Sequence, residues 1–252
     1  TAARAGGDTY RRVLKETSRI ALSLNDKTGV EDCDTDFFRL TVRLDDFITP
    51  ESAADVETLE RRADGRRIHT LEDLQAAAEH VLDRALGTGK VLCLKHGLAY
   101  IRPLRYEKVP AARAAEAFNA LRLRRPGDGT PLAARPLQDF MMHHVCRLAE
   151  ARGLVMQVHT GLQEGTGNYV AHTDPTLLTN LFLEYGGVRF DVFHIGYPYQ
   201  QVLSALAKNF ANVFIDFCWA QIISPTASVR ALVEYLDAVP ANKISGFGGD
   251  SH

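Results

Sequence analysis

The chain has 252 residues, 29 of them basic and 31 acidic for a formal net charge of −2, and it is 46% apolar and 24% charged. That balance excludes a disordered chain, a phosphate-wrapping surface and a polybasic membrane anchor, so neither nucleic acid nor membrane is an expected partner. Four scattered cysteines, Cys33, Cys93, Cys146 and Cys218, form no C-x-x-C pair; they read as reduced thiols in a cytoplasmic protein rather than a disulfide framework or a zinc finger.

The polar opening (Arg4, Asp8, Arg11, Arg12) shows no signal peptide, no stretch is long and apolar enough to span a bilayer, and the longest uncharged run near the C-terminus, 217–229, is too short and contains Pro225. In chain order, 20–24 and 38–44 read as weak strands, and the charge run 57–67 as a solvated helix face. Thr70 and Asp73 form a capping box before a helix with the apolar stripe Leu71, Leu74, Ala78, Val81, Leu82 and Ala85. A strand over 91–94 follows. The charged, Pro/Gly-punctuated segment 106–135 reads as an excursion over a barrel mouth with a helix near 111–123. A second stripe (Leu137, Phe140, Met141, His144, Val145, Leu148) ends at Gly153. Strands are expected at 154–158, 188–193, 213–217 and 244–247. A third stripe (Val229, Leu232, Val233, Leu236) has Ser224 placed as N-cap and Pro225 at the first helical position.

Strand–helix–strand repetition implies parallel strands joined by crossover helices. A doubly wound sheet would want G-x-G-x-x-G after an early strand, and none is present. Polar residues at the C-terminal strand ends fit a (β/α)8 barrel instead, in one domain over 1–252.

Those strand ends carry the chemistry. Period two puts Val155, Gln157 and His159 on one face, and His194 on the face of Val188, Phe190 and Val192. Asp250 follows Gly248-Gly249, and Lys95 ends a run of four apolar residues. Singly, each has a plain reading: a structural histidine, a turn aspartate, a lysine where the chain leaves the core. Together they would converge on one mouth, and imidazole with carboxylate suits a divalent, water-activating Lewis acid. His144, on its helix stripe, reads as a core residue. Trp219 is open between a mouth-lining and a packing role, and Asp216 between an inward polar residue and an ion pair.

Three motifs, Gln157-Val158-His159-Thr160-Gly161, Phe193-His194-Ile195-Gly196-Tyr197-Pro198-Tyr199 and Gly246-Phe247-Gly248-Gly249-Asp250, are supported by 207–213 and 239–244. In this order they resemble the amidohydrolase superfamily, in its amidohydrolase-2, uronate-isomerase-related branch. The resemblance implies a metal-dependent (β/α)8 barrel. His159 would be the fifth-strand ligand, His194 a sixth-strand ligand or substrate-facing group, and Asp250 the eighth-strand ligand that also moves a proton. Lys95 would lie on the fourth strand, either carboxylated between two ions or free to face substrate with Tyr100 and Arg102. The implied cofactor is a divalent ion, zinc first, with manganese or iron(II) as alternatives.

The His-x-His that closes the family's first strand is absent from this sequence. The barrel is therefore expected to lack its first strand and last helix, with the paired histidines encoded upstream of Thr1. The unpaired edge left behind favours a homo-oligomer. The expected function is metal-dependent hydrolysis of a small acidic substrate, with Asp250, His194 and Lys95 catalytic and Lys95, Tyr100, Arg102 and Trp219 around the substrate. The alternatives are a sugar-acid isomerase, a non-oxidative decarboxylase, or an inactive barrel used as a scaffold.

Overall fold

The computed structural model describes residues 9–26, 33–123 and 134–250. Every apolar run read from the sequence forms a strand: β1 (Ser23–Asn25), β2 (Phe38–Arg43), β3 (Val91–His96), β4 (Val155–Val158), β5 (Arg189–Val192), β6 (Val213–Asp216) and β7 (Ile244–Ser245). All adjacent pairs are parallel, and the sheet order is β1-β2-β3-β4-β5-β6-β7. Strands laid down in strict sequence order are the winding of a barrel, since a doubly wound sheet reverses direction at a switch point. Among the described residues β1 and β7 do not pair, so the sheet is an incomplete (β/α)8 barrel.

The helices are α1 (Asp45–Ile48), α2 (Ala53–Arg62), α3 (Leu71–Gly87), α4 (Ala111–Leu121), α5 (Arg135–Ala151), α6 (Thr179–Glu184), α7 (Gln200–Asn209), α8 (Ala220–Ile223) and α9 (Pro225–Ala238). The capping box opens α3 as the sequence predicts: Thr70 accepts from the Asp73 N–H, and Asp73 accepts from the Thr70 N–H. The stripes of α3 and α5 are buried with the outward residues of the strands, among them Leu40, Val42, Leu94, Met156, Phe190, Val192 and Ile215. Hydrophobic burial on that face leaves the inner face free to carry polar groups. The part of the predicted mouth excursion over 124–133 lies outside the described residues.

Three expectations need correction. Helix α9 starts where predicted, with the Ser224 hydroxyl accepting from the Ala227 N–H, but it is rotated: Ser228, Ala231 and Tyr235 are buried and Val229, Leu232, Val233 and Leu236 are exposed. Tyr235 decides this, because a buried phenol needs partners and its hydroxyl donates to the Ile195 and Gln200 carbonyls, each at 3.1 Å. The run 57–67 is not solvated throughout, since Glu60 is buried and accepts from the Ile68 N–H at 2.8 Å. Several strands are also shorter than their apolar runs. All four cysteines are unpaired, and among the described residues no helix is long and apolar enough to cross a membrane.

Candidate metal centre

Register sets the layout of the inner face. Arg43, Lys95, Gln157 and Asp191 are successive Cα partners across β2, β3, β4 and β5, a polar belt inside the barrel. Beyond it, at the C-terminal mouth, His159 directly follows β4, His194 lies in the short 3-10 turn Phe193–Gly196 after β5, and Asp250 lies in the segment after β7.

These three come together. His159, His194 and Asp250 each offer a ligand atom, and the three atoms lie within 4.8 Å of one another. His194 Nε2 stands 3.1 Å from His159 Nδ1 and 3.7 Å from Asp250 Oδ2. Donors about 2.1 Å from one tetrahedral zinc stand roughly 3.4 Å apart, so this spacing suits ligands of one ion. His194 Nδ1 donates to the Cys218 carbonyl at 2.7 Å, which leaves Nε2 with its lone pair facing the cluster. The other His159 nitrogen, Nε2, is buried without a hydrogen-bond partner among the described residues. Burial holds both rings neutral: it pushes His194 down to about 4 against the opposing pull of the Cys218 carbonyl and Asp250, and pushes His159 well below the usual range, with Lys95 adding to it. Two neutral imidazoles and a carboxylate are a fitting donor set for a divalent ion.

The backbone is bent to make this cluster. His194 and Ile195 adopt left-handed φ values of 64° and 50°, a conformation costly for side chains with a Cβ. It is held by the Thr160 hydroxyl on the Phe193 carbonyl, by the Tyr197 N–H on the His194 carbonyl, and by Tyr235 on Ile195. Gly161, two residues past His159, has φ 68°, and a Cβ there would meet the Tyr197 carbonyl oxygen at 2.2 Å. The position takes only glycine.

Deeper in the barrel, Asp191 and Asp216 face each other. Gln157 donates to Asp191 at 3.2 Å, and the Cys218 N–H donates to Asp216 at 2.6 Å. Burial raises both carboxyls, and burial together with the charge of Asp191 takes Asp216 up to about 8. Asp216 unfolded releases its proton near 3.8 and folded only near 8. The folded state therefore holds an extra proton between those values, and this group's contribution to stability falls as pH rises from about 4 to about 8. Denaturant titrations of Asp216→Asn beside the parent are expected to show that loss shrink by on the order of a few kcal/mol. An identical pH slope in both proteins would mean the pair does not share a proton.

Lys95 is 2% exposed, its ammonium 3.3 Å from the centre of the Phe193 ring, and it makes no hydrogen bond or ion pair among the described residues. Burial lowers its pKa, against the pull of Asp26 and Asp250. Tyr100 is exposed at the mouth, with its ring 5.6 Å from that of His159 and its hydroxyl accepting from the Glu164 N–H. Trp219 is half-buried, its ring 5.7 Å from His194. Arg102 does not join them. It is buried against α5, donating to Gln138 at 2.9 Å, Asp139 at 2.5 Å and the Arg105 carbonyl at 2.7 Å, over the ring of Tyr106. The short 3-10 turn Leu98–Tyr100 turns the chain away from the mouth before Arg102 is reached. His144 is a core residue, hydrogen-bonded to the side chain and carbonyl of Gln75.

Sequence reasoning missed Arg43 and Asp26. Alternation along β2 places Thr41 and Arg43 on one face, which was the available signal.

Parallel strands wound in order, with two imidazoles and a carboxylate at their C-terminal mouth, define a barrel of the metal-centre class. The amidohydrolase family model matches residues 56–250, and the chain belongs to that family. Family membership implies a divalent metal ion. Protein fluG of Emericella nidulans is 28% identical over 116 residues, which are 44% of this chain and 13% of that protein. A candidate metal-dependent hydrolase from Lactobacillus casei superposes with a TM-score of 0.71 at 18% identity, over 97% of this chain and 64% of its own. Uronate isomerase of Thermotoga maritima gives 0.71 at 15% identity, over 90% and 55%. Glucuronate isomerase of Caulobacter crescentus gives 0.70 at 19%, over 99% and 57%. The chain thus spans a small part of the curated relative and little more than half of these structures.

Proposed function

We propose that this chain carries the metal centre of an enzyme that hydrolyses a small acidic substrate. The observation that carries this reading is the convergence of His159, His194 and Asp250 within 4.8 Å, near a buried Lys95 that packs on the Phe193 ring and makes no hydrogen bond or ion pair among the described residues. The three residues would hold the ion, zinc before manganese or iron(II), and three protein donors is the number a catalytic zinc site uses. When bound, the ion would supply Lewis-acid activation of water and of the bond to be broken.

The chain's own residues do the rest. Asp250, at the exposed mouth and 3.7 Å from His194, is placed to take a proton at Oδ2 and return it to the leaving group. His194 is fixed in direction and tautomer by the Cys218 carbonyl. Lys95 holds the substrate's anionic group as a point charge; an uncharged substrate would leave that ammonium buried and unmatched. Tyr100 and Trp219 wall the mouth. Unpaired thiols support a cytoplasmic setting, and the outward apolar stripe of α9 supports assembly with further copies.

The second reading is isomerisation of a sugar acid, which the likeness to the two uronate isomerases favours and which would use the same proton-moving Asp250. Full-length protein loaded with zinc or manganese is to be assayed on carboxylate-bearing amides and lactones, on their uncharged counterparts, and on D-glucuronate. Hydrolysis restricted to the charged set is expected, with Lys95→Met raising KM at least about tenfold at unchanged metal content. Turnover of D-glucuronate alone would establish the second reading, and equal turnover of the uncharged set would overturn both.

A further inference from the structure

On the wall facing the three donors, β2 and β3 present two cations side by side. Arg43 and Lys95 are Cα partners in register, both in the polar belt. Arg43 is held side-on by the carboxylate of Asp26, just past β1: Nε donates to Oδ1 at 3.0 Å and Oδ2 at 3.1 Å, and Nη2 also joins Oδ2. The Thr41 hydroxyl donates to the same carboxylate at 2.8 Å. Gly97 lies against the free edge of the guanidinium, since a Cβ there would stand 3.1 Å from Arg43 Nη1. Lys95, in contrast, has no anion in contact among the described residues. Among the described residues Asp26 is the carboxylate in direct contact with this pair, and it touches Arg43 alone; nearby Asp45 is engaged by the Gly97 N–H at 2.9 Å and by His96, and Asp250 acts on both cations from a distance.

This chain shows what a structural Arg–Asp pair looks like: Arg102 and Asp139 have side chains 5% and 8% exposed. Arg43 and Asp26 are 36% and 21% exposed, so this pair is not sealed. Register puts Arg43 on the inner face beside Lys95 and one strand further from Gln157, two residues before His159, and its charge acts on both His159 and Asp250. A carboxylate bound side-on to an open arginine, beside an unmatched lysine, is the arrangement a carboxylate ligand would itself adopt.

We infer that Arg43 and Lys95 form a carboxylate-binding subsite in which Asp26 is the resident anion, yielding Arg43 to the carboxylate of the substrate. The inference rests on the acidic substrate proposed above and adds the residue that selects for it. Arg43 reads the planar carboxylate bidentately, Lys95 supplies the second charge, and Asp26 sets the threshold an entering anion must exceed. Weak anions would be refused and Arg43 kept paired when the site is empty.

The test is calorimetric titration of the full-length, chelator-treated protein with succinate, and with its uncharged analogue succinamide, at fixed ionic strength. Wild type is expected to bind succinate and not succinamide. Arg43→Gln and Lys95→Met should each weaken succinate at least about tenfold, whereas Asp26→Asn should tighten it about tenfold by removing the competitor. Tightening cannot come from misfolding, so that arm stands even if Arg43→Gln fails to fold. Succinate bound no better than succinamide by wild type, or weakened or unchanged by Asp26→Asn, would overturn the subsite. Because these titrations contain no metal, they are independent of the proposed reaction, which fails separately if wild type takes up no zinc.

Discussion

Replacing His159 with alanine is expected to lower zinc affinity more than about a hundredfold while leaving the metal-free fold within about 2 kcal/mol of the parent. The two effects separate because the ring is poorly used by the apoprotein. Its Nδ1 faces only His194, and its Nε2 is buried without a partner among the described residues. Deleting it loses ring contacts with Phe193 and Tyr100 but also removes an unsatisfied buried nitrogen, and these changes oppose each other. Ligand linkage makes the difference measurable. At a thousand times its Kd a metal stabilises the folded state by about 4 kcal/mol, so thermal melting with and without zinc should split widely for the parent and not for the variant. A His159→Ala protein that melts far below the parent in chelator, and rises equally with zinc, would make the residue structural.

Arg102→Ala is expected to do the reverse. It removes the cation from a sealed pair and leaves Asp139 buried and charged, with Gln138 and the Arg105 carbonyl also losing a donor. Breaking such a pair costs about 3–5 kcal/mol. For a chain of this size that corresponds to a fall in Tm on the order of 10 °C. Zinc affinity should be unchanged. A variant that keeps its Tm but loses affinity for acidic ligands would return Arg102 to the substrate wall from which the structure removes it.

These two residues also mark what can be read from a sequence of this kind. The convergence of His159, His194 and Asp250 was legible because a parallel sheet wound in one direction brings every C-terminal strand end to the same mouth; the face expected for His194 was wrong, since Phe190 and Val192 point outward and the left-handed turn at His194 and Ile195 carries the ring inward. The same rule fails at Arg102, which comes six residues after β3 beyond a tight turn; its partners Gln138 and Asp139 are 36 and 37 residues away on α5, and such pairings exist only once helices pack. Arg43 was visible as one of an alternating pair on β2, but its significance comes from Asp26, 17 residues earlier, and from Lys95 on the next strand. The rotation of α9 was hidden for a different reason. Its apolar stripe is real, yet the hydrogen bonds of Tyr235 to Ile195 and Gln200 outweigh the aliphatic side chains that point outward.

The account depends most on three residues sharing one ion, and a cobalt(II) absorption titration of the full-length protein tests that directly. The predicted result is a visible band that saturates at about one ion per chain, is lost in His159→Ala, His194→Ala and Asp250→Ala, and persists in Lys95→Met. A band indifferent to Asp250→Ala would contradict it, as would saturation at two ions with one lost on Lys95→Met.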